Sequence, residues 1–193
     1  MNKLEGILKL EELALPHGDW QIIKKASELN LNKKTKHGWC IRSCLPPEIK
    51  KDELALPFAA YVKTEEVSKI IEKFQKKFRG KGIFVVYPAW KFEKSGNLML
   101  LENSIIIEAV EGFVRDLADG KKVDVYYKYP KYDDKIYICD VEVKGNRDLL
   151  SSLEITNLLD HARKIPYKNV VLEWSYDTDN NFYFHDIIEI KTL

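Results

Sequence analysis

The sequence has 193 residues, 45% of them hydrophobic, so the chain is long enough to bury a full core as a single domain. Its 31 basic residues nearly balance its 30 acidic residues, and this balance gives no sign of a nucleic-acid-binding or membrane-surface protein. No apolar run reaches the roughly 18 residues of a membrane helix, and the N-terminus lacks an apolar signal region. We therefore expect a cytoplasmic protein with no membrane contact and with nucleic acid disfavoured as a partner.

The three cysteines, Cys40, Cys44 and Cys139, are odd in number and lack the spacing of a disulfide framework, which fits a reducing compartment. His37 lies near the first two, but no fourth ligand follows at zinc-finger spacing. Small, buried strand residues are therefore favoured over a metal site.

Two helices and a strand are predicted in the N-terminal part of the chain. Leu4, Ile7 and Leu8 have the spacing of one helix face, and Asp19 is placed to cap a second helix over residues 20–29. A strand follows over residues 37–45, where alternation assigns Trp39, Ile41 and Ser43 to one face and Cys40, Arg42 and Cys44 to the other. An arginine in so apolar a strand needs an anion, either a structural carboxylate or a bound phosphate.

The remaining elements alternate between strands and two clear helices. Thr64 is predicted to cap a helix over residues 65–78, and Ser151 with Glu154 forms a capping-box pattern for a helix that Pro166 ends. Strands are predicted over residues 58–63, 83–87, 98–101, 104–110, 123–129 and 136–144, with turns at 95–97 and 119–120. Strands outnumber helices and follow one another as antiparallel neighbours, so the predicted class is α+β with helices on one side of a sheet.

A β-hairpin is predicted near the C-terminus, where residues 170–176 and 182–190 flank the turn-forming segment DTDNN. The predicted register pairs Tyr176 with Phe182, Trp174 with Phe184, Glu173 with His185 and Val171 with Ile187, leaving Asp186 as a polar residue on the core face. An opposed carboxylate and imidazole, with Cβ atoms roughly 5 Å apart, can share a ligand. A solvated outer face is the alternative.

Five segments in collinear order carry a resemblance to a known family. WCIRSC is similar to V-x-V-R-S-S, and IFVVYPAW with the following SG is similar to V-V-V-Q-x-M-V with S-G. IIIEAVEGFVRDLADGKKVDVYY is similar to I-E-A-x-x-G-L-G-E-x-L-V-S-G-x-V-x-P-D-x-Y, and SLEITNLLDHARKI falls where the family has a helix. VLEWSYDTDNNFYFHDIIEI is similar to D-I-E-W-A-x-D-x-D-G-x-L-Y-x-L-Q-x-R. Together they resemble the ATP-binding domain of phosphoenolpyruvate synthases, pyruvate phosphate dikinases and rifampicin phosphotransferases, which has the ATP-grasp fold.

This resemblance implies an ATP-grasp-like domain over residues 1–193, with residues 37–190 carrying the likeness and residues 1–36 forming a helical extension. It implies that Mg-ATP, or ATP with Mn²⁺, lies between Arg42 and the pair Glu173 and His185. By resemblance Arg42 is the catalytic phosphate-contacting arginine and Glu173 the metal-binding glutamate, while His185 stands in place of a metal-binding glutamine. Tyr87, Ala89 and Trp90 match the adenine hinge, and Glu108 is a further candidate for nucleotide contact.

The chain also departs from the family pattern. Ile187 stands where the family has a final arginine, residues 111–114 replace G-L-G-E, and residues 56–60 replace S-F-A-G-Q without its glycine. No counterpart of the family's G-G-K-G segment is present. The chain therefore resembles a reduced nucleotide-binding module that would transfer phosphate, if at all, to an unknown acceptor, and full dikinase activity is excluded.

Two other functions remain as alternatives. The first is a catalytically inactive ATP-grasp-like protein that acts through a protein partner, since loss of a phosphate-binding arginine weakens catalysis. The second is a metal-dependent nuclease of the D…E-x-K type, in which Asp124 and Glu142 would hold Mg²⁺ and Lys144 would position a water. A solvated, salt-bridging stripe explains the same Glu142 and Lys144 spacing.

Overall fold

The computed structural model describes residues 3–45, 56–113, 117, 123–132 and 135–190. The predicted turn at residues 119–120 and the last residue of the segment 111–114 lie outside these ranges. The helices are α1 (Lys3–Glu12), α2 (Val67–Lys77) and α3 (Ser152–Lys164). The strands are β1 (Gln21–Ile23), β2 (Trp39–Cys44), β3 (Phe58–Val62), β4 (Ile83–Pro88), β5 (Phe92–Leu100), β6 (Ser104–Glu111), β7 (Val125–Tyr132), β8 (Lys135–Ile136), β9 (Glu142–Gly145), β10 (Val170–Asp177) and β11 (Phe182–Glu189).

The chain divides into two compact units, each built on its own sheet. The large-sheet unit comprises Gly6–His17 and Phe92–Leu193, and the small-sheet unit comprises Asn2–Glu5 and Gly18–Lys91. Among the described residues, none of the helices has both the length and the apolar character needed to cross a membrane.

The small-sheet unit is an antiparallel sheet with strand order β1-β4-β2-β3. Strand β4 is central and apolar on both faces, as its sequence IFVVY predicts, and residues Ile83 to Val86 are all buried. Helix α2 packs on one face, and its Val67 and Ile71 share a core with Trp39, Ile41 and Phe84. The face of β2 that carries Arg42 is therefore the one turned away from this core.

Two predictions about helices in this unit are wrong. Residues 20–29 form β1 and a short 3-10 turn in place of a helix, because Gln21–Ile23 pairs with the edge of β4 and buries Ile23. Asp19 accordingly forms an ion pair with Lys33 at 2.8 Å instead of capping a helix. Thr64 does not cap α2 either: a 3-10 turn precedes the helix, and the Thr64 hydroxyl accepts a 3.0 Å hydrogen bond from the Trp39 indole.

The large-sheet unit is an antiparallel sheet with strand order β11-β10-β5-β6-β7-β8, and β9 also pairs with β7. Helix α3 packs on one face, which we call the helix face. The Lys94 ammonium of β5 lies 2.9 Å from the Glu154 carboxylate, and Asn157 donates a 3.0 Å hydrogen bond to the Tyr176 hydroxyl. Alternation places Asn97, Glu108 and Glu173 on the opposite side, which we call the polar face.

The predicted capping box of α3 is confirmed. The Ser151 hydroxyl accepts a 3.3 Å hydrogen bond from the Glu154 amide, and the Glu154 carboxylate accepts a 2.7 Å bond from the Ser151 amide. Burial opposes ionisation of Glu154, but these bonds and the Lys94 ammonium outweigh it and lower the pKa of its carboxyl group. The start of α3 is thus anchored to the sheet by a charge as well as by apolar packing.

The C-terminal hairpin forms as predicted next to its turn, but its register changes further along. Tyr176 pairs with Phe182 and Trp174 with Phe184, whereas Glu173 lies opposite Asp186 and Val171 opposite Ile188. The predicted pairs of Glu173 with His185 and of Val171 with Ile187 are therefore wrong. His185 is the extra residue of a β-bulge, so Ile187 is buried in the core and Ile188 is exposed.

Contacts from the N-terminal segment explain why the bulge lies at this position. The Phe184 amide donates a 2.8 Å hydrogen bond to the Pro16 carbonyl, just before the shift. Just after it, Gly6 of α1 lies so close that a Cβ there would meet the Asp186 carboxylate and the Ile187 carbonyl. Strand β11 is held at both ends of the bulge by residues far away in the sequence.

Gly96 sits in the middle of β5, and this position tests how tightly the large sheet is packed. A Cβ at Gly96 would meet the Glu108 carbonyl and the buried indole of Trp174. We expect Gly96→Ala to lower the free energy of unfolding by about 2–4 kcal/mol, measured by urea denaturation. Gly80→Ala is the control, since it adds a Cβ in open space and costs only the strain of a φ of +80°, about 1 kcal/mol. A larger loss for Gly80→Ala would contradict this packing.

We expect His161 of α3 to make the stability of the large-sheet unit dependent on pH. Its ring stacks on Phe182 and meets Phe184 edge-on, with centroids 5.6 and 5.5 Å away. Burial, assisted by Lys164, lowers the pKa of this imidazole below 6.5, so the folded state binds a proton less readily than the unfolded state. Stability should be full above pH 6.5 and fall as the pH drops through the lowered pKa.

The matched variant is His161→Phe, which keeps an aromatic ring but cannot bind a proton. Thermal denaturation between pH 7 and pH 5 should show a smaller loss of Tm for this variant than for the wild type. Equal losses in the two proteins would show that His161 does not carry the effect.

Candidate functional site

The candidate nucleotide-contacting residues of the small-sheet unit lie on one side of its sheet. Arg42 on β2 lies opposite Val85 and Phe58, and its guanidinium carbon is 5.9 Å from the Phe58 ring centroid. The neighbouring Cys40 lies opposite Tyr87 of β4 and forms a side-chain hydrogen bond with it. The face of β2 turned away from α2 therefore combines a half-buried cation with a hydroxyl-bearing aromatic ring.

The predicted hinge residues follow directly after this point. The Tyr87 and Trp90 rings lie 5.5 Å apart at an angle of 44°, and Trp90 packs against Gly18. Between them, the Ala89 amide donates a 2.8 Å hydrogen bond to the Gly38 carbonyl, so this amide is committed to the protein backbone. A planar, charged ligand would contact the aromatic ring faces of this segment and the Arg42 guanidinium of the neighbouring strand.

Cys40 is a structural residue in this cluster and not a nucleophile. Burial raises the pKa of its thiol to about 11, even though the Tyr61 backbone, Arg42 and Tyr87 act in the opposite direction. No group of three or more His, Cys, Asp or Glu side chains in the described part of the chain is arranged to hold a metal ion.

The large-sheet unit carries a row of polar side chains across the polar face. Direct cross-strand pairs run from Glu173 on β10 to Asn97 on β5, then to Glu108 on β6, Tyr126 on β7 and Lys144 on β9. The Asn97 amide group donates a 3.3 Å hydrogen bond to the Glu108 carboxylate. Glu173, Asn97 and Glu108 are half-buried, so three oxygen-bearing side chains stand side by side on adjacent strands.

Asn97 is a member of this row that the sequence prediction missed. The prediction of a turn at residues 95–97 is wrong, because Gly96 and Asn97 lie inside the long strand β5. The Trp174 side chain packs on Gly96, which is why a glycine stands in the middle of a strand. If side chains are taken to alternate along the whole of Phe92–Leu100, the sequence predicts that Asn97 lies on the same face as Glu108.

His185 joins the polar face through the bulge. Its Nε2 atom lies 2.9 Å from the hydroxyl of the buried Ser175, and its ring is 5.7 Å from that of Phe92. Ser175 is two residues after Glu173 on the same strand, so both project to the same face. His185 and Glu173 are thus near in the sheet without being cross-strand partners.

A hard divalent cation fits the chemistry of this row better than a soft one. Glu173, Asn97 and Glu108 supply oxygen ligands only, which suit Mg²⁺, and Mg²⁺ keeps several waters when few protein ligands are present. His185 would add a nitrogen ligand, which suits Mn²⁺ better than Mg²⁺. The ligand types of these residues match the metal implied by the resemblance, although no three His, Cys, Asp or Glu side chains in the described part of the chain are arranged around one point.

The three residues of the nuclease hypothesis make other interactions. Glu142 and Lys144 form an exposed ion pair at 2.8 Å, and their mutual hydrogen bond lowers the pKa of Glu142 and raises that of Lys144. The Asp124 carboxylate accepts a 3.0 Å hydrogen bond from the Glu111 amide. This geometry matches a solvated, salt-bridging stripe and lends the nuclease hypothesis no support.

Comparison with known proteins identifies the fold class. No family model matches the sequence, and no curated protein matches it. The structure is similar to an L-amino acid ligase from Bacillus licheniformis (TM-score 0.52, 12% identity), covering 98% of this chain and 42% of that one. It is similar to the macrocyclase MdnC of Microcystis aeruginosa, solved with its precursor peptide MdnA, with a TM-score of 0.53 and 11% identity, covering 99% of this chain and 53% of that one. It is also similar to a carboxyaminoimidazole ribonucleotide synthase from Aspergillus clavatus, solved with ATP, with a TM-score of 0.52 and 10% identity, covering 96% of this chain and 44% of that one.

The predicted fold class is therefore confirmed: the chain has an ATP-grasp-like α+β fold. At these identities the likeness shows the fold alone, and the chain spans about half or less of the length of these solved chains.

Thiol reactivity tests the burial of Cys40, which lies beside Arg42 on the same face of β2. Cys139 is exposed, whereas Cys40 and Cys44 are buried, and a pKa of about 11 leaves only about one Cys40 in a thousand as thiolate at pH 8. We expect the folded protein to show one fast-reacting thiol with Ellman's reagent and three after unfolding in guanidinium chloride. Cys139→Ser should remove the fast phase, and a fast phase that survives in this variant would contradict the burial of Cys40 and Cys44.

Proposed function

We propose that this protein binds Mg-ATP, with Arg42, Tyr87, Ala89 and Trp90 serving the nucleotide and Glu173, Glu108 and His185 serving the metal ion. The observation that carries the proposal is the row of Glu173, Asn97 and Glu108 across three adjacent strands. Two carboxylates and an amide on one sheet face form an oxygen-rich surface, and such surfaces bind Mg²⁺ together with substrate phosphates.

Each residue has a role that follows from its chemistry. The Arg42 guanidinium is always charged and matches phosphate oxygens with two parallel N–H bonds, so it would bind the phosphates and stabilise charge during transfer. The rings of Tyr87 and Trp90 would pack against the base. Asn97, which donates to Glu108, would orient that carboxylate toward the metal. Mg²⁺, when bound, supplies charge neutralisation between phosphate oxygens.

The fold supports nucleotide binding, since the Aspergillus synthase with the same fold was solved with ATP. The finer likeness, to the ATP-binding domain of phosphoenolpyruvate synthases and pyruvate phosphate dikinases, rests on the five sequence segments. On that likeness we propose phosphoryl transfer to an acceptor of unknown identity. Such transfer depends on positioning and electrostatic stabilisation, which Arg42 and the metal ligands would provide.

One observation favours a second candidate, an inactive ATP-grasp-like protein that acts through a protein partner. Ile187 stands where the related family has an arginine, and the bulge buries this residue opposite Leu172 on the helix face. An arginine at this position would therefore face the core of the sheet. The chain lacks this charge near its polar face, which reduces the stabilisation of a transferred phosphoryl group.

A thermal-shift experiment separates the two candidates. Mg-ATP at about 100 times its Kd stabilises the folded state by about 2.7 kcal/mol, which corresponds to a rise in Tm of about 5–10 °C for a chain of this size. We expect this rise in the wild type and its loss in Arg42→Ala and in Glu173→Ala, with Asn97→Ala retaining a reduced rise. EDTA should also abolish it.

Glu142→Ala is the matched control, because it removes an exposed carboxylate of the same sheet outside the proposed metal row. Its Tm should rise with Mg-ATP as in the wild type. No rise in the wild type at millimolar Mg-ATP would overturn nucleotide binding and favour the inactive candidate. A rise without phosphate release in the presence of candidate acceptors would separate binding from catalysis.

A further inference from the structure

A cavity of the large-sheet unit lies on the helix face, away from the polar row. Its volume is about 300 Å³, at the lower end of the range for ligand pockets. Its walls come from the ends of β5, β6, β7 and β8 and from the C-terminal end of α3 with the residues after it: Leu100, Ile105, Lys131, Ile136, Ala162, Arg163, Ile165, Pro166, Tyr167 and Lys168. We call it the α3-end cavity.

The cavity exists because α3 ends before it covers the sheet. The helix stops at Lys164, and Pro166 cannot continue it. Strands β5 and β6 continue beyond the last helical turn, so the side chains of Leu100 and Ile105 face the cavity instead of a helix. Tyr167 closes one side, and its ring is held by the Lys9 ammonium at 4.0 Å from the centroid.

The lining combines an apolar floor with a positively charged rim. Leu100, Ile105, Ala162 and Ile165 are buried and form the floor. Three cations line the cavity, Lys131, Arg163 and Lys168, and none of the described lining residues is acidic. Such a combination suits a ligand that carries an anionic group on a compact apolar body.

Two of the three rim cations form ion pairs with nearby acidic residues. Lys168 is paired with Glu102 at 2.9 Å, and Arg163 is paired with Asp160 one turn earlier on α3. Both pairs are largely exposed, and exposed ion pairs are weak and exchange readily with a competing anion.

We propose that the α3-end cavity binds a small amphipathic carboxylate. The apolar body lies on Leu100, Ile105 and Ile165, and the carboxylate is held by Lys131, Arg163 and Lys168. This site lies on the helix face, so it does not depend on the proposed binding of Mg-ATP at the polar face.

Isothermal titration calorimetry with octanoate tests the proposal directly. Octanoate has ten non-hydrogen atoms. At the binding free energy per atom that is ordinary for small ligands, we expect a Kd of about 1 mM. We expect saturable binding of octanoate at 50 mM salt, weaker binding at 300 mM salt, and no binding of octylamine, which has the same tail with a positive head. Arg163→Glu and Lys168→Glu should each weaken octanoate binding at least tenfold.

Two further variants keep the test decisive. Lys73→Glu makes the same charge change on the exposed surface of α2 and should leave the Kd unchanged. Ala162→Met fills the cavity without changing its charge and should abolish binding. Arg163 is exposed, so Arg163→Glu should retain the fold and any loss of binding can be assigned to the charge. Absence of saturable octanoate binding, equal binding of octylamine, or binding that Arg163→Glu leaves intact would each overturn the proposal. Saturating Mg-ATP should not change the octanoate Kd.

Discussion

The packing of Trp174 on Gly96 is the contact on which the large sheet depends. The indole is fully buried on the helix face, and only a residue without a side chain can stand beneath it. This contact holds β10 against β5 in one register, because a shift by one residue would drive the ring into a Cβ and exchange the two faces of the strand. Glu173 is placed beside Asn97, and Asn97 beside Glu108, by that same register.

The two faces of this sheet carry different kinds of chemistry. The helix face is closed by α3, whose start is tied to β5 through Glu154 and Lys94 and whose middle packs through His161 on the hairpin aromatics. The polar face carries the half-buried side chains of Glu173, Asn97 and Glu108 beside the buried Ser175. Rigid packing on one side therefore fixes the positions of the polar side chains on the other, as the proposed metal site would require.

The bulge at His185 is a second device that shapes this surface. It turns Ile187 toward the core and brings His185 to the buried hydroxyl of Ser175. Regular strand alternation would place residues 185 and 187 on one face, but here they lie on opposite faces. The faces on which these two side chains lie are thus set by the backbone geometry of the bulge.

Sequence alone determined the elements whose signals are local: the capping box at Ser151, the buried strand IFVVY, the turn-proximal half of the hairpin and the α+β class. It also identified Glu173 and Glu108 as candidates, through resemblance. Tertiary structure decided the bulge, the strand in place of a helix at Gln21–Ile23, and the alignment of Asn97 with both glutamates. The reason is that caps and periodicity depend on residues a few positions apart, whereas Gly6 at Asp186 and Trp174 at Gly96 meet only when distant segments pack.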